Sequence, residues 1–254
     1  MAGNTVWVLG HHAVDAVLRI NPERALALHV VINPRNSVQA ALIETAQGLG
    51  LPVHPHERQK LNKHVGSEQH QGIGLLAKPR KEGNEEQLQS LLVQLQERST
   101  RPPLLLVLDQ VQDPHNFGAC LRTADAAGVD AVVVAKDNAS PITAVVQKVA
   151  SGAAETLPIF RVTNLARTLD AIKQQGVWLI GTSDQAEESL YDHKLGGAVA
   201  LVMGAEGKGL RQLTAKKCDS LVSLPMAGSI VSSLNVSVAT GVCLYEIVRQ
   251  RSIQ

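Results

Sequence analysis

Aromatic residues are scarce in this chain, with two Trp, two Tyr and two Phe among 254 residues. So few rings argue against a stacking platform for single-stranded nucleic acid. Cysteine is nearly as rare. Cys120, Cys218 and Cys243 are odd in number, widely spaced and without nearby histidine pairs, which speaks against a disulfide framework or a zinc site and predicts three buried, small apolar residues. No window approaches the roughly 18 uninterrupted apolar residues that a membrane span needs. The start "MAGNTVWVLGHHAV" also lacks a basic stretch leading into a long apolar run, so a cytoplasmic protein with no membrane contact is expected. An excess of either charge is missing too, since 24 Lys and Arg face 23 Asp and Glu. Only the distribution of charge is informative. Residues 1–78 hold seven Lys and Arg, five Asp and Glu and seven of the nine histidines, whereas residues 104–254 hold thirteen basic against fourteen acidic residues. A polyanion would more naturally meet the N-terminal part.

What is present is apolar: 44% of residues are hydrophobic, enough to bury a proper core over this length. Between Lys78 and Pro103 the polar, charge-mixed "KPRKEGNEEQLQSLLVQLQERSTRPP" reads as a linker over 79–103 carrying one exposed helix. It separates a domain over 1–78 from a second over 104–254. In the first, "TVWVLG", "ALALHVVI", "LPVHP" and "GIGLLAK" read as strands and the segments between them as helices, giving a small α/β domain. In the second, strands are expected near 104–109, 131–135, 157–160, 177–181, 198–203 and 220–225, with a last helix over about 235–250. Uninterrupted apolar strands such as "LLLVL", "AVVVA" and "VALVM" predict a parallel sheet covered on both faces. Such a sheet binds its ligand at the carboxyl ends of its strands.

The loops at those ends are distinctive. After the first strand of the second domain stands "DQVQDPHNFGAC", whose single glycine removes the main support for a nicotinamide-type dinucleotide fingerprint. Asn116 is placed to cap the following helix. Arg122 lies two turns later, and the small residues one turn before it, Gly118 and Ala119, leave a trough along which its guanidinium can reach back toward Asn116. A surface arginine paired with Asp125 is the plainer alternative. "VALVM" runs into "GAEGKGL", where Gly204, Gly207 and Gly209 permit positive φ and close backbone approach, while Glu206 would repel a phosphate. In "SSLNVSVATG", Ser233 and Asn235 exceed what capping a helix requires.

Together "NFGACLRTA", "GAEGKG" and "SSLNVSVA" resemble, in order, the three signature motifs of the SpoU/TrmH (SPOUT) class of RNA ribose 2'-O-methyltransferases. The similarity is strongest to the branch that acts on a guanosine of 23S rRNA and covers nearly the whole chain, with "GHHAVDAVL" and "HQGI" similar to that branch's small ribosomal-protein-like RNA-binding domain. One departure stands out: "PMAGSIVSSLN" has one residue more between its ends than the family pattern. The resemblance implies an α/β parallel-sheet domain whose C-terminal chain forms a trefoil knot, against the general rule of unknotted connections. It also implies a homodimer. S-adenosyl-L-methionine is the implied cofactor, with Thr182, Gly204, Leu224, Met226 and Leu234 as its contacts and no metal.

The implied catalytic residues are Asn116, Arg122, Glu206, Ser233 and Asn235. A guanidinium keeps its proton across the physiological range, so Arg122 is expected to bind a phosphate and stabilise developing alkoxide charge. The implied partner is 23S rRNA, and the need for a 2'-hydroxyl excludes DNA. A tRNA substrate, or an rRNA-binding assembly factor without chemistry, are the alternatives. A nicotinamide-dependent oxidoreductase rests on strand and helix alternation alone.

Overall fold

The computed structural model describes residues 5–32, 37–97 and 100–253. Its first unit is built on β1 (Val6–Leu9), α1 (His11–Ile20), β2 (Ala25–Val31), α2 (Ser37–Gly48), β3 (Val53–His56), α3 (Arg58–Val65) and β4 (Ile73–Ala77). The sheet order is β1-β4-β2-β3, with β4 antiparallel to both its neighbours and β2 parallel to β3. Side chains alternate across a strand. Leu28 and Val30 therefore join Val8, Ile73 and Leu75 on one face, where α1 and α2 supply Val14, Val17, Leu42 and Ala46. The other face is covered by the shorter α3, through Leu61 and Val65 packed with Leu9, Trp7 and Val31.

The second unit carries α4 (Glu85–Glu97), β5 (Leu104–Leu108), α5 (Pro114–Ala126), β6 (Ala131–Ala135), β7 (Ile159–Val162), α8 (Leu165–Gln174), β8 (Trp178–Thr182), β9 (Val199–Met203), α9 (Gln212–Lys217), β10 (Ser220–Val222) and α10 (Val236–Ser252). Its six strands run in the order β10-β8-β9-β5-β6-β7, and every pair is parallel. Every residue of β5, β6 and β9 is buried, as uninterrupted apolar strands between helical layers require. α5 and α10 pack on one another, with Cys120 Sγ 3.5 Å from Thr240 Oγ1. Cys120 and Cys243 are fully buried, and burial raises their thiols to about 11 and about 12. Cys218 is only partly buried.

Two features differ from the expectations. The stretch taken as a linker with an exposed helix holds α4, which buries Leu88, Leu92 and Leu95; Leu88 and Leu92 enter the core formed around β5, β6 and β7. The second unit accordingly begins at Glu82. In addition, Ile142–Thr156 groups with Met1–Lys81 rather than with the chain around it. That excursion carries α6 (Ala144–Val149) and α7 (Ala153–Thr156). It seats Gly152 against α1, where a Cβ would lie 3.2 Å from the His12 carbonyl oxygen and 3.3 Å from Ala16 Cβ. Glu155 is 2% exposed and forms an ion pair with Arg24. A carboxylate that deep needs a cation beside it.

Candidate active site

Strand order reverses at β5, which lies between β6 on one side and β9 on the other. The crevice at the carboxyl ends of such a pair is where open α/β sheets place ligands. Its floor is braced by Asp109, the fully buried residue that follows β5. The Asp109 carboxylate accepts the Arg211 backbone N–H at 3.1 Å and Nε at 2.7 Å, and its Oδ1 lies 2.7 Å from Arg211 Nη2. The brace fixes the far end of the loop that leaves β9.

That loop is a tight reversal. Ala205 and Gly209 exchange backbone hydrogen bonds of 3.1 and 2.9 Å around Glu206, Gly207 and Lys208, while Gly207 and Gly209 take φ of 72° and 64°, values that L side chains rarely adopt. Gly204 is needed for another reason. A Cβ there would lie 2.2 Å from the Gly209 carbonyl carbon and 2.4 Å from the Leu210 nitrogen. The three glycines of "GAEGKGL" thus supply the close approach and positive φ expected of them.

α5 begins at Pro114, and its cap is Asp113, whose Oδ1 accepts the Asn116 N–H at 2.8 Å. Asn116 is therefore not the cap. It stands inside the first turn with its side chain free for other partners: Nδ2 donates to Glu206 Oε2 at 3.1 Å, and Oδ1 accepts Asn235 Nδ2 at 3.0 Å. Asn235 caps α10, its Oδ1 accepting the Ser237 N–H at 2.9 Å and the Ser237 hydroxyl at 2.7 Å. One amide-to-carboxylate chain, Ser237 to Asn235 to Asn116 to Glu206, joins all three motifs.

Glu206 ends this chain between two recesses. One is a cavity of about 550 Å³ at the carboxyl ends of β8, β9 and β10, lined by Thr182, Gly204, Leu224, Met226, Ser233 and Leu234. All five expected cofactor residues are among them. The other, about 440 Å³, is lined by Gln110, Asp113, Asn116, Asn138 and Lys208. Both include Glu206 and Val236. Gln110 and Asn138 hold φ of 65° and 57°, uncommon for side-chain-bearing residues and concentrated at functional sites. The 226–233 segment, where the extra residue falls, has no regular secondary structure and is largely exposed, Ile230 at 95%.

Arg122 is not brought to this group. Six residues of helix separate it from Asn116, about 9 Å along the axis and about 240° around it. It is exposed, and among the described residues it makes neither hydrogen bond nor ion pair. Sequence reasoning missed the Asp109–Arg211 brace and the cap at Asp113. The signal for the first was an acid directly after five apolar strand residues, which can be buried only with a partner.

Comparison with known proteins bears on the same regions. The profile described as "SpoU rRNA Methylase family" matches residues 103–245, and that described as "RNA 2'-O ribose methyltransferase substrate binding" matches residues 7–83. The chain is 50% identical over 244 residues to the 23S rRNA (guanosine-2'-O-)-methyltransferase RlmB of Vibrio cholerae, covering 96% of each chain. It is 53% identical over 245 residues to the enzyme of the same name from Pasteurella multocida, covering 96% of this chain and 98% of that one. Among solved structures, an RNA 2'-O ribose methyltransferase superposes with a TM-score of 0.78 at 26% identity, covering 98% of this chain and 89% of that one. The SpoU methyltransferase AviRb from Streptomyces viridochromogenes, in complex with AdoMet, gives 0.79 at 22%, covering 98% and 92%.

Proposed function

This chain belongs to the SpoU rRNA methylase family, and we propose that it transfers the methyl group of S-adenosyl-L-methionine to the ribose 2'-hydroxyl of a guanosine in 23S rRNA. The support in sequence is its 50–53% identity, over 96% of its length, to enzymes named for that reaction. The observation that carries the reading in the structure is the position of Glu206. It is an exposed carboxylate held by a side-chain amide on the border between a cavity of about 550 Å³ and an open recess.

The cavity suits the cofactor. Gly204 lets the Gly209–Leu210 peptide close against it where any side chain would collide, and this tight turn lines the recess together with Leu224, Met226 and Leu234. When bound, the cofactor supplies an activated methyl group on a sulfonium. Thr182, Gly204, Leu224, Met226 and Leu234 hold it, and Ser233 shapes the rim.

The remaining work is positioning and proton removal. Holding the ribose oxygen in line with the methyl group contributes on the order of 7 to 11 kcal/mol. Asn116 and Asn235 orient Glu206 and the ribose, and Glu206 Oε1, the oxygen not engaged by Asn116, accepts the 2'-hydroxyl proton. Arg122 binds the adjacent phosphate and stabilises negative charge on the ribose oxygen. Its separation from Asn116 along α5 is bridged in a homodimer, where the arginine of one protomer serves the site of the other. The C-terminal chain after β10 closes the trefoil knot around the cavity, the N-terminal unit binds RNA, and the enzyme acts in the cytoplasm, where ribosomal RNA is. The 2'-hydroxyl requirement excludes DNA.

The test is transfer of radiolabelled methyl from S-adenosyl-L-methionine to unmodified 23S rRNA and to transfer RNA, with the labelled ribose mapped. Label on a guanosine ribose of 23S rRNA is expected. Label confined to transfer RNA, or carried on a base, overturns the reading. Arg122→Ala should bind the cofactor normally and lose transfer by about 100-fold or more.

A further inference from the structure

The first unit gathers rings on one face of its sheet. Histidines 54 and 56 of β3 lie on the same side as His29 of β2, Trp7 of β1 and His64 of α3. The ring of His29 has its centre 4.9 Å from Trp7 and His54 and 5.0 Å from His56 and His64. Trp7 also meets His64 edge-on at 5.6 Å. The rings of His29 and His56 are 3° from parallel with Nδ1 of one 2.9 Å from Nε2 of the other. A nitrogen separation that short at a centre separation of 5.0 Å places the two rings side by side in one plane, joined by an N–H···N hydrogen bond.

His29 is 7% exposed, whereas His54 and His64 are exposed and Trp7 is partly so. Burial, then the neighbouring imidazoles of His54, His56 and His64, push His29 down to about 4, and burial chiefly lowers His56 as well. At neutral pH these two rings are uncharged. A metal centre does not account for the cluster: no group of three or more His, Cys, Asp or Glu among the described residues is arranged to hold an ion, and the His29–His56 bond occupies the nitrogens that would converge on one. Core packing accounts for only part of it: α3 covers this face with Leu61, Val65 and the ring of His64, while His54 and His64 keep exposed surface. Around the open rings, residues 57–64 supply Arg58, Lys60 and Lys63 against the single carboxylate of Glu57, all four exposed.

We propose that this face is an RNA contact in which unpaired bases stack on His54, His64 and Trp7 while Arg58, Lys60 and Lys63 hold the flanking phosphates. The inference rests on RNA being the substrate and assigns the surface of the first unit that grips it. Unpaired bases are what RNA offers to aromatic and imidazole faces, and stacking accepts any base because each has a π-face. A protein partner would be expected to meet a drier, less cationic surface.

The full-length protein is titrated, at fixed ionic strength, with a hairpin RNA carrying 2-aminopurine in an unpaired loop and with a blunt duplex of the same stem. His54 and His64 are exposed although their rings meet His29, so the doubly substituted chain is expected to stay folded, with a thermal melt run beside each titration. His54→Ala/His64→Ala should bind the hairpin at least about tenfold more weakly and lose the 2-aminopurine quench, with duplex affinity unchanged. His54→Phe/His64→Phe should restore both. Lys60→Ala/Lys63→Ala should weaken both RNAs and reduce the salt slope by about 1 to 2. Wild-type hairpin affinity in the alanine pair overturns the proposal, as does failure of phenylalanine to restore binding. A face used for a protein partner would give the first of these results. Methyl transfer is measured in parallel: a wild-type chain that binds the hairpin through these rings yet methylates no RNA refutes the proposed activity and leaves this contact standing.

Discussion

Replacing Gly204 with alanine tests how far the site depends on the closeness of two backbone segments. The new Cβ would lie 2.2 Å from the Gly209 carbonyl carbon, 2.4 Å from the Leu210 nitrogen and 2.5 Å from the Gly209 oxygen. Ordinary carbon contacts begin near 3.4 Å, so the Gly209–Leu210 peptide must withdraw by about 1.2 Å. It has little freedom to do so. Arg211 is tied to buried Asp109 on one side, and the 3.1 and 2.9 Å bonds between Ala205 and Gly209 hold the other. Overpacking of this kind costs about 1 to 3 kcal/mol, which for a chain of this size lowers the melting temperature by roughly 2 to 10 °C. The larger effect falls on function, because the same movement carries Glu206 with it, and a misplacement of about 1 Å costs roughly 100-fold in rate. Calorimetric titration with S-adenosyl-L-methionine should show affinity weakened by at least about tenfold, equivalent to about 1.4 kcal/mol, alongside the drop in transfer. Gly197→Ala, where a Cβ meets nothing within 4 Å, is the control and should be silent. A Gly204→Ala protein with wild-type affinity and turnover would refute the close-approach argument.

Asn116→Asp sets a carboxylate against Glu206 Oε2, now 3.1 Å from an amide donor; turnover should fall by about 10- to 100-fold, and the acidic limb of its pH profile should move upward because two carboxylates that close resist ionising together. An unmoved limb would separate Glu206 from proton removal. Asp109→Asn keeps the shape of the brace but removes the charge facing Arg211, and should cost about 1.5 to 3 kcal/mol in urea unfolding; equal midpoints would show that the brace is dispensable. His29 has its proton affinity lowered to about 4, chiefly by burial, so the folded chain resists a proton that the unfolded chain accepts near 6.5. Its contribution is complete above about pH 6.5 and is lost as pH falls toward about 4. Denaturation between those values should show a shallower pH dependence in His29→Asn than in wild type, and parallel curves would contradict the assignment.

Most of the strands and helices were legible because the sequence alternates or repeats at the period of the element. The five apolar residues of "LLLVL" could only be a strand buried on both sides, and β5 is one. The supposed linker was misjudged for a physical reason: its polar composition was weighed over the spacing of Leu88, Leu92 and Leu95, which places them on one helical stripe. The allegiance of Ile142–Thr156 was invisible, since nothing local in "ITAVVQKVASGAAET" tells which sheet it will cover. At the site, the glycines and the cavity-lining residues are legible by motif, but Asn116 reads as a cap because the true cap, Asp113, lies only three residues earlier. Arg122, expected to reach back along Gly118 and Ala119 toward Asn116, is exposed and without a hydrogen bond or ion pair among the described residues, because a residue six positions on along a helix does not share the face of the first. The histidines of residues 1–78 are evident in the sequence as an excess, but their gathering on one sheet face is not, because it depends on the pairing of β2 with β3 and on the docking of α3.

The excursion of Ile142–Thr156 means that the peptide chain crosses between its two units three times, at 81–82, 141–142 and 156–157. A protease that nicks the first crossing severs residues 1–81 from 82–254, and the two fragments are then held by the packing of Ile142–Thr156 within the first unit rather than by a covalent bond. A gene fragment ending near Lys81 would not yield a miniature of the first unit: it would strip away α6 and α7 and leave Arg24 interred without Glu155. A faithful stand-alone version would need the missing piece grafted back by circular rearrangement or added as a peptide in trans.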